Sequence, residues 1–377
     1  MMPDSSLFAA TQYGLYHRPK NSGKWLPSSL SLGMERLSDV ACLGDSLVVI
    51  SRDRAFLALP PYSSFSQISL PAGSDYEGKV SLFRVVWLLH SGEMFGMAGK
   101  IVLDLLGVVM ALLSVSGLLF WLFPKFIKRG FKKVWLISST RFSFKSHNMV
   151  GIFTFVLLVF VVFTGWWLRP PLLIPLALNK MQGISGTAMS PDQPWQDKLR
   201  TIRYDNAAGD WILTTSDGFY SLSRSFEGVP QAMANAPHVS VMGVTVMQKD
   251  AQGRWLVGSL SGMWKWNRAE GKSVDYFTGE PMPEKAGAPF GKTPVAGFSS
   301  DFGAPIVAEY DDGNQSLPQP DSLRNLPMSL WQLALEIHTG RIYNLFGLAP
   351  LIWVFLAGFL ALWLLISGWK IRQSLKK

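Results

Sequence analysis

Three stretches of the chain are apolar over about twenty residues or more. Ile101 to Phe123 carries a single charge, Asp104, while Met149 to Leu168 and Ile342 to Trp369 carry none. A helix of about 20 apolar residues spans the hydrocarbon of a bilayer, so each run predicts a transmembrane helix, within spans at 85–127, 148–169 and 337–372. The run Pro170 to Leu178 is too short to cross and is expected at the membrane surface.

Outside these runs the pattern changes from continuous to alternating. Leu7–Tyr16 (LFAATQYGLY), Leu47–Phe56 (LVVISRDRAF), Trp211–Tyr220 (WILTTSDGFY) and Trp255–Trp264 (WLVGSLSGMW) share apolar-leaning positions, a Ser or Thr, a short turn and then an aromatic. Three of the four have glycine in the turn, where positive φ is easily adopted. Each predicts a β-hairpin, spaced as in propeller-like repeats. The copies flank the first two apolar runs, so segments 1–84 and 170–336 are expected to assemble into one β-rich domain. Ser273 to Leu326 is rich in Pro, Gly and Asp and is expected to form long loops.

Charge orients this arrangement. The chain has 377 residues, 48% hydrophobic and 16% charged, with a net charge of +9 and a mean hydropathy of +0.20. The positive charge is not spread as a nucleic-acid-binding surface would need. Between Lys125 and His147 stand seven basic residues and no acidic one, which marks 128–147 as a cytoplasmic loop. The tail at 373–377, with Lys370 and Arg372 just ahead of it, is expected on the same side. From Pro170 to Glu336 there are 13 basic and 17 acidic residues, as expected of an outer segment. This topology also places residues 1–84 outside although they open without a basic or apolar leader. It predicts one more transmembrane helix upstream, a bundle of four in all. The single cysteine, Cys42, excludes a disulfide framework and cysteine-built zinc or iron–sulfur sites, and is expected to be a small buried residue.

The candidate chemistry lies in three of the five histidines, each near the end of an apolar run. His90 and His338 share a motif: His, Ser or Thr, Gly, then an aromatic five residues after the His (Phe95, Tyr343) and a glycine nine after it (Gly99, Gly347). His147 lies at the opposite, inner end. All three runs close on a Ser-Gly or Thr-Gly pair: Ser116-Gly117, Thr164-Gly165 and Ser367-Gly368. Two imidazoles from facing helices are good axial ligands for a low-spin haem iron. Small residues such as Gly92, Gly96, Gly99, Gly340 and Gly347 would let a flat macrocycle or a neighbouring helix approach. Asp104, with Lys100 four residues before it, forms a candidate ion pair at membrane depth. Met94 and Met97 share the His90 face as packing residues, and His17 and His238 are expected to be solvated or capping residues. No GxGxxG, Walker, Ser-His-Asp or HExxH pattern is present, so flavin or nicotinamide binding is not expected.

The segments HSGEMFG, SHNMVGIFTFVLLVFVVFTGWW and LEIHTGRIY, followed by an apolar helix ending in ISGWK, resemble the PepSY-associated transmembrane helix family. Its members include inner-membrane siderophore reductases that pass electrons through two b-type haems to ferric siderophores in the periplasm. The resemblance implies a multi-pass protein of the bacterial inner membrane with a periplasmic domain. It implies one or two haem b groups, with His90 and His338 as the axial pair of the outer one and His147 as a ligand of the inner one. The electron donor would be cytoplasmic or a quinol. Two alternatives stand beside this: a non-enzymatic sensor or scaffold module, and a haem reductase serving another periplasmic acceptor such as copper.

Overall fold

The computed structural model describes residues 2–11, 13–30, 32, 35–130, 134–240, 242–284, 291–301, 303–310, 313–314, 317, 320–340, 342–343 and 349–374. They divide into two compact units, one of residues 1–77 and 193–325, the other of 78–192 and 326–377.

The chain opens in the first unit with a three-stranded sheet, β1 (Leu7–Thr11), β2 (Gly14–Arg18) and β3 (Leu26–Pro27). A four-stranded sheet follows: β4 (Leu37–Leu43), β5 (Ser46–Ser51), β6 (Ala55–Ala58) and β7 (Ser66–Ile68). Strand β8 (Lys79–Ser81) then leads into the helical unit. There helix α1 (Leu82–Ser91) ends at Gly92, a short 3-10 turn follows, and α2 (Gly96–Lys128) runs on for 33 residues. Next come α3 (Val134–Trp167), the short α4 (Leu173–Leu178) and β9 (Lys180–Gln182), which pairs with β8. The chain returns to the first unit for two four-stranded sheets, β10 (Leu199–Asp205) to β11 (Asp210–Thr215), β12 (Phe219–Leu222) and β13 (Gln231–Ala232), then β14 (Val244–Lys249) to β15 (Trp255–Ser259), β16 (Gly262–Asn267) and β17 (Lys272–Asp275). A two-stranded sheet, β18 (Val295–Ser299) and β19 (Ile306–Glu309), and a single turn, α5 (Asp321–Arg324), complete it. Helices α6 (Leu330–Thr339) and α7 (Ala349–Ser374) belong to the helical unit.

The four repeated segments are hairpins: β1–β2, β5–β6, β11–β12 and β15–β16. The shared Ser or Thr explains itself. In three copies its hydroxyl closes the turn, Thr11, Ser51 and Thr215 each donating to the carbonyl three residues on at 2.8, 3.1 and 2.9 Å and accepting from an N–H two residues on. The turn glycines, Gly14, Gly218 and Gly262, hold φ between +131° and +146°, where a side chain is strained. A second repeat escaped the sequence pattern. The strand before the hairpin is bulged in every four-stranded sheet and in β18, at Leu37/Asp39, Leu199/Thr201, Val244/Val246 and Val295/Gly297. At two of these bulges the extra residue's hydroxyl reaches the next sheet, Ser38 donating to the Leu199 carbonyl at 3.1 Å and Thr245 to that of Val295 at 2.7 Å. Strands β4, β10, β14 and β18 thus neighbour one another in succession, as inner strands of propeller blades do.

The β unit also carries a polar joint between its two largest repeats. Asp205, almost fully buried, accepts from Lys249 at 2.7 Å, from Arg268 at 3.0 Å and from the Trp255 indole at 3.2 Å, and Arg268 also grips Asp210. Burial alone would raise its pKa, but these donors outweigh it and hold the carboxyl at about 2.

Several sequence-based boundaries move. The apolar run after residue 85 is two helices, because the chain breaks at Gly92. The basic stretch 128–147 is not one loop: α3 begins at Val134, so Arg141, Lys145 and His147 lie on a helix. The region after Ser273 contributes the sheet β18–β19 rather than loops alone. Cys42 is exposed, since its side chain points away from the core on β4. Helices α2, α3 and α7 include spans long and apolar enough to cross a membrane, and most of their surface lies open within the chain.

Replacing Asp205 with Ala should destabilise the β unit by about 3 kcal/mol, because two cations and an indole lose a buried partner. In the unchanged chain this contribution is present above the ordinary aspartate value of about 3.9. It should be lost as the pH falls from there toward 2, a loss Asp205→Ala would not show in acid unfolding followed by near-UV dichroism.

Candidate ligand histidines

Helices α1 and α6 are the same device. Both are ten residues long. Ser81 and Ser329 stand at their N-caps in extended conformation and accept from the backbone N–H three residues on, Arg84 at 3.5 Å and Gln332 at 3.1 Å, a cap worth about 1 kcal/mol. Both stop at a left-handed glycine, Gly92 (φ +77°) and Gly340 (φ +74°), whose N–H closes on the carbonyl three residues back. In each the histidine occupies the last turn, two residues before that glycine. The histidines therefore end short helices of their own rather than opening the long spans.

The fold brings His90 and His338 together. Their ring centroids are 6.1 Å apart and their planes lie within 22° of each other. His90 is half-buried and His338 exposed. The His90 Nδ1 sits 3.1 Å from the Val161 carbonyl oxygen and 3.2 Å from the Thr164 hydroxyl on α3. His147, on α3, repeats this against α2, with Nδ1 3.1 Å from both the Leu113 carbonyl oxygen and the Ser116 hydroxyl. In both cases a glycine completes the seat. A Cβ on Gly165 would come within 2.7 Å of the His90 Cε1, and one on Gly117 within 3.3 Å of the His147 Cε1. The Ser116-Gly117 pair inside α2 and the Thr164-Gly165 pair in the last turn of α3 are thus seats for a neighbour's imidazole. The repetition was visible in the sequence, but its pairing with the histidines was not. The third pair, Ser367-Gly368, holds no imidazole among the described residues. His147 is bordered by the Phe120 ring at 5.1 Å and faces no second histidine among the described residues.

Other candidates fall elsewhere. His17 lies against Phe8 and His238 bonds the Glu284 carbonyl, both in the β unit. Lys100 pairs with Glu93 at 3.1 Å rather than with Asp104, because the turn at Gly92 folds Glu93 back over the first turn of α2; Asp104 is exposed. Met94 is buried with Val85, Leu88 and Met189, whereas Met97 is exposed. Gly92 and Gly99 serve each other: a Cβ on either would strike the other's backbone within 2.4 Å, so they hold the chain break against α2. A Cβ on Gly340 would strike Val354 of α7, Gly96 faces open space, and Gly347 lies outside the described residues. An apolar cavity of about 350 Å³ lies beside the His90 seat, lined among others by Leu89, Phe95, Leu106, Phe160 and Val161.

The model of one family, the PepSY-associated TM region, matches residues 122–371. The chain belongs to that family. The match takes in His147 and His338, both Thr164 and Ser367, and starts after His90. Comparison with curated proteins and with solved structures returned no significant match. As a member of the PepSY-associated class with three helices, among the described residues, long and apolar enough to cross a membrane, the chain is a membrane protein with a β-rich unit.

Gly165→Ala should displace the His90 ring and lower thermal stability in detergent, at the about 1–3 kcal/mol typical of overpacking. Gly368→Ala, where a Cβ meets nothing within 4 Å, should leave the melting curve unchanged.

Proposed function

We propose that this PepSY-associated protein conducts electrons across the bacterial inner membrane through histidine-held haem b and delivers them to a ferric siderophore in the periplasm. The observation that carries the reading is the 6.1 Å spacing of the His90 and His338 rings. A nitrogen bound to a metal at about 2.0–2.1 Å puts the imidazole centre about 3 Å from it, so two rings across one ion are about 6 Å apart. The donor set fits too, since neutral imidazole pairs serve low-spin haem iron that needs no open position. Haem b bound there would supply a one-electron Fe(III)/Fe(II) couple.

The chain's own residues do the rest. His90 and His338 each sit in the last turn of a capped ten-residue helix, and these local stops fix their separation. Val161, beside the His90 seat, stands fourteen residues after His147 on α3, about 21 Å along the axis at 1.5 Å per residue. His147 therefore serves a second centre at the other end of the span, and together the two levels divide a hydrocarbon core about 30 Å thick. Apolar side chains border both levels, Leu89, Phe160 and Val161 near His90 and Phe120 beside His147. The donor is a cytoplasmic partner or a quinol. Reduction releases the substrate iron because siderophore oxygens hold Fe(III) far more tightly than Fe(II).

Detergent-purified protein should show a Soret band that shifts with dithionite. His90→Ala and His338→Ala should each remove the same haem, and the double variant no more than either alone. His147→Ala should leave that haem in place, and His17→Ala and His238→Ala should change nothing. Haem retained in both His90→Ala and His338→Ala sinks the reading. Orientation is checked separately: reporter fusions after Lys133 and after Lys377 should read cytoplasmic and one near Asn267 periplasmic, and the opposite pattern would invert the path.

A further inference from the structure

The two seated histidines share a surrounding that decides which ring nitrogen carries the proton. Around the His90 Nδ1 stand a carbonyl oxygen, Val161, and a hydroxyl, Thr164. The carbonyl can only accept. The hydroxyl has already committed its proton, donating within its own helix to Phe160 at 2.9 Å and Val161 at 3.0 Å. Both neighbours therefore present lone pairs, and only an Nδ1–H satisfies them. The same holds for His147, where Leu113 offers a carbonyl and the Ser116 hydroxyl donates back to Leu113 at 3.2 Å. The seats are built alike on two helices: an apolar residue with its carbonyl, a back-bonded Ser or Thr three residues on, and a glycine at the fourth that admits the ring.

We infer that Thr164 and Ser116 are positioning residues that fix His90 and His147 in the Nδ1-protonated form, leaving each Nε2 lone pair bare for a metal and tuning it as a donor. The tuning follows from chemistry: acceptors at Nδ1–H push electron density toward Nε2 and strengthen its bond to the more oxidised metal. The tautomer part stands on the hydrogen bonds alone. The tuning part rests on the haem reading above.

Two measurements separate them. In full-length protein labelled with 15N-histidine and held in detergent without haem, the ring nitrogens of His90 and His147 should report protonated Nδ1 and bare Nε2. Thr164→Val, which keeps the shape and removes the hydroxyl, should shift the His90 signals toward the other tautomer. Thr164→Ser should keep them. Signals showing Nε2–H at His90 and His147 in the unchanged protein overturn the inference whether or not haem binds. In haem-loaded protein, Thr164→Val should raise the midpoint potential of the centre that His90→Ala removes, and Thr164→Ser should not. An unmoved potential with normal haem content overturns the tuning. A protein that takes up no haem sinks the proposed function, while the nitrogen signals still decide the tautomer.

Discussion

A ring nitrogen placed among apolar helices has to find a hydrogen-bond partner there, because lipid and hydrocarbon side chains offer none. A helix offers only its carbonyls, each already engaged, and normally hides them behind side chains. Glycine uncovers them. Three rings in the helical unit use this opening: His90 at the Val161 carbonyl beside Gly165, His147 at that of Leu113 beside Gly117, and the Trp166 indole, which donates to Phe355 at 3.0 Å beside Gly358. A Cβ on Gly358 would fall 2.3 Å from the Trp166 Cδ1. The pairings α2 with α3, α1 with α3 and α3 with α7 are each pinned by one such contact, so the same few glycines set the helix packing and aim the imidazoles.

The second constraint is where a helix stops. A histidine within a long span would move with the whole helix, and its height would depend on tilt in the bilayer. On α1 and α6 the histidine instead sits in the last turn of a ten-residue helix bounded by a serine cap and a left-handed glycine. The break at Gly92 is locked by backbone contact with Gly99, and that at Gly340 by Val354. Position is thereby set by two local stops, which is what holding a fixed ring-to-ring distance requires.

How much of this could be read from residues alone follows from the range of each signal. The spans were legible because twenty apolar residues in a row have few other fates, and the hairpins because a Ser or Thr, a turn and an aromatic recur at fixed spacing. His90, His338 and His147 stood out through local motifs, and the first two do meet. The helix breaks were hidden because the few polar residues around the junction of α1 and α2, Ser91, Glu93 and Lys100, are as common on a continuous helix as at a break, so composition could not tell a kink from a span. The serine nine residues before each histidine was the available clue. Arg141 and Lys145 obscured the start of α3, since basic residues mark a side of the membrane but do not end a helix. The pairing of Lys100 with Glu93 rather than Asp104 depends on a turn of chain that spacing along an ideal helix does not contain.

The β unit and the helical unit meet the same problem of exposed polar groups in opposite ways. In the β unit the strand bulges and turn hydroxyls repeat because each sheet must pass its polar edge to the next, and Asp205 gathers two cations and an indole where two sheets join. Water supplies whatever remains unsatisfied there, so the repeats tolerate variation, and Arg54 stands where its three counterparts are glycine. The helical unit has no such reserve. Each buried donor needs one named carbonyl and one named glycine, which is why its seats recur as a five-residue pattern on α2 and α3 with so little freedom. Imidazoles seated under that restriction are held by the backbones of α2 and α3 themselves, one carbonyl and one glycine each, and not only by side chains that could turn away.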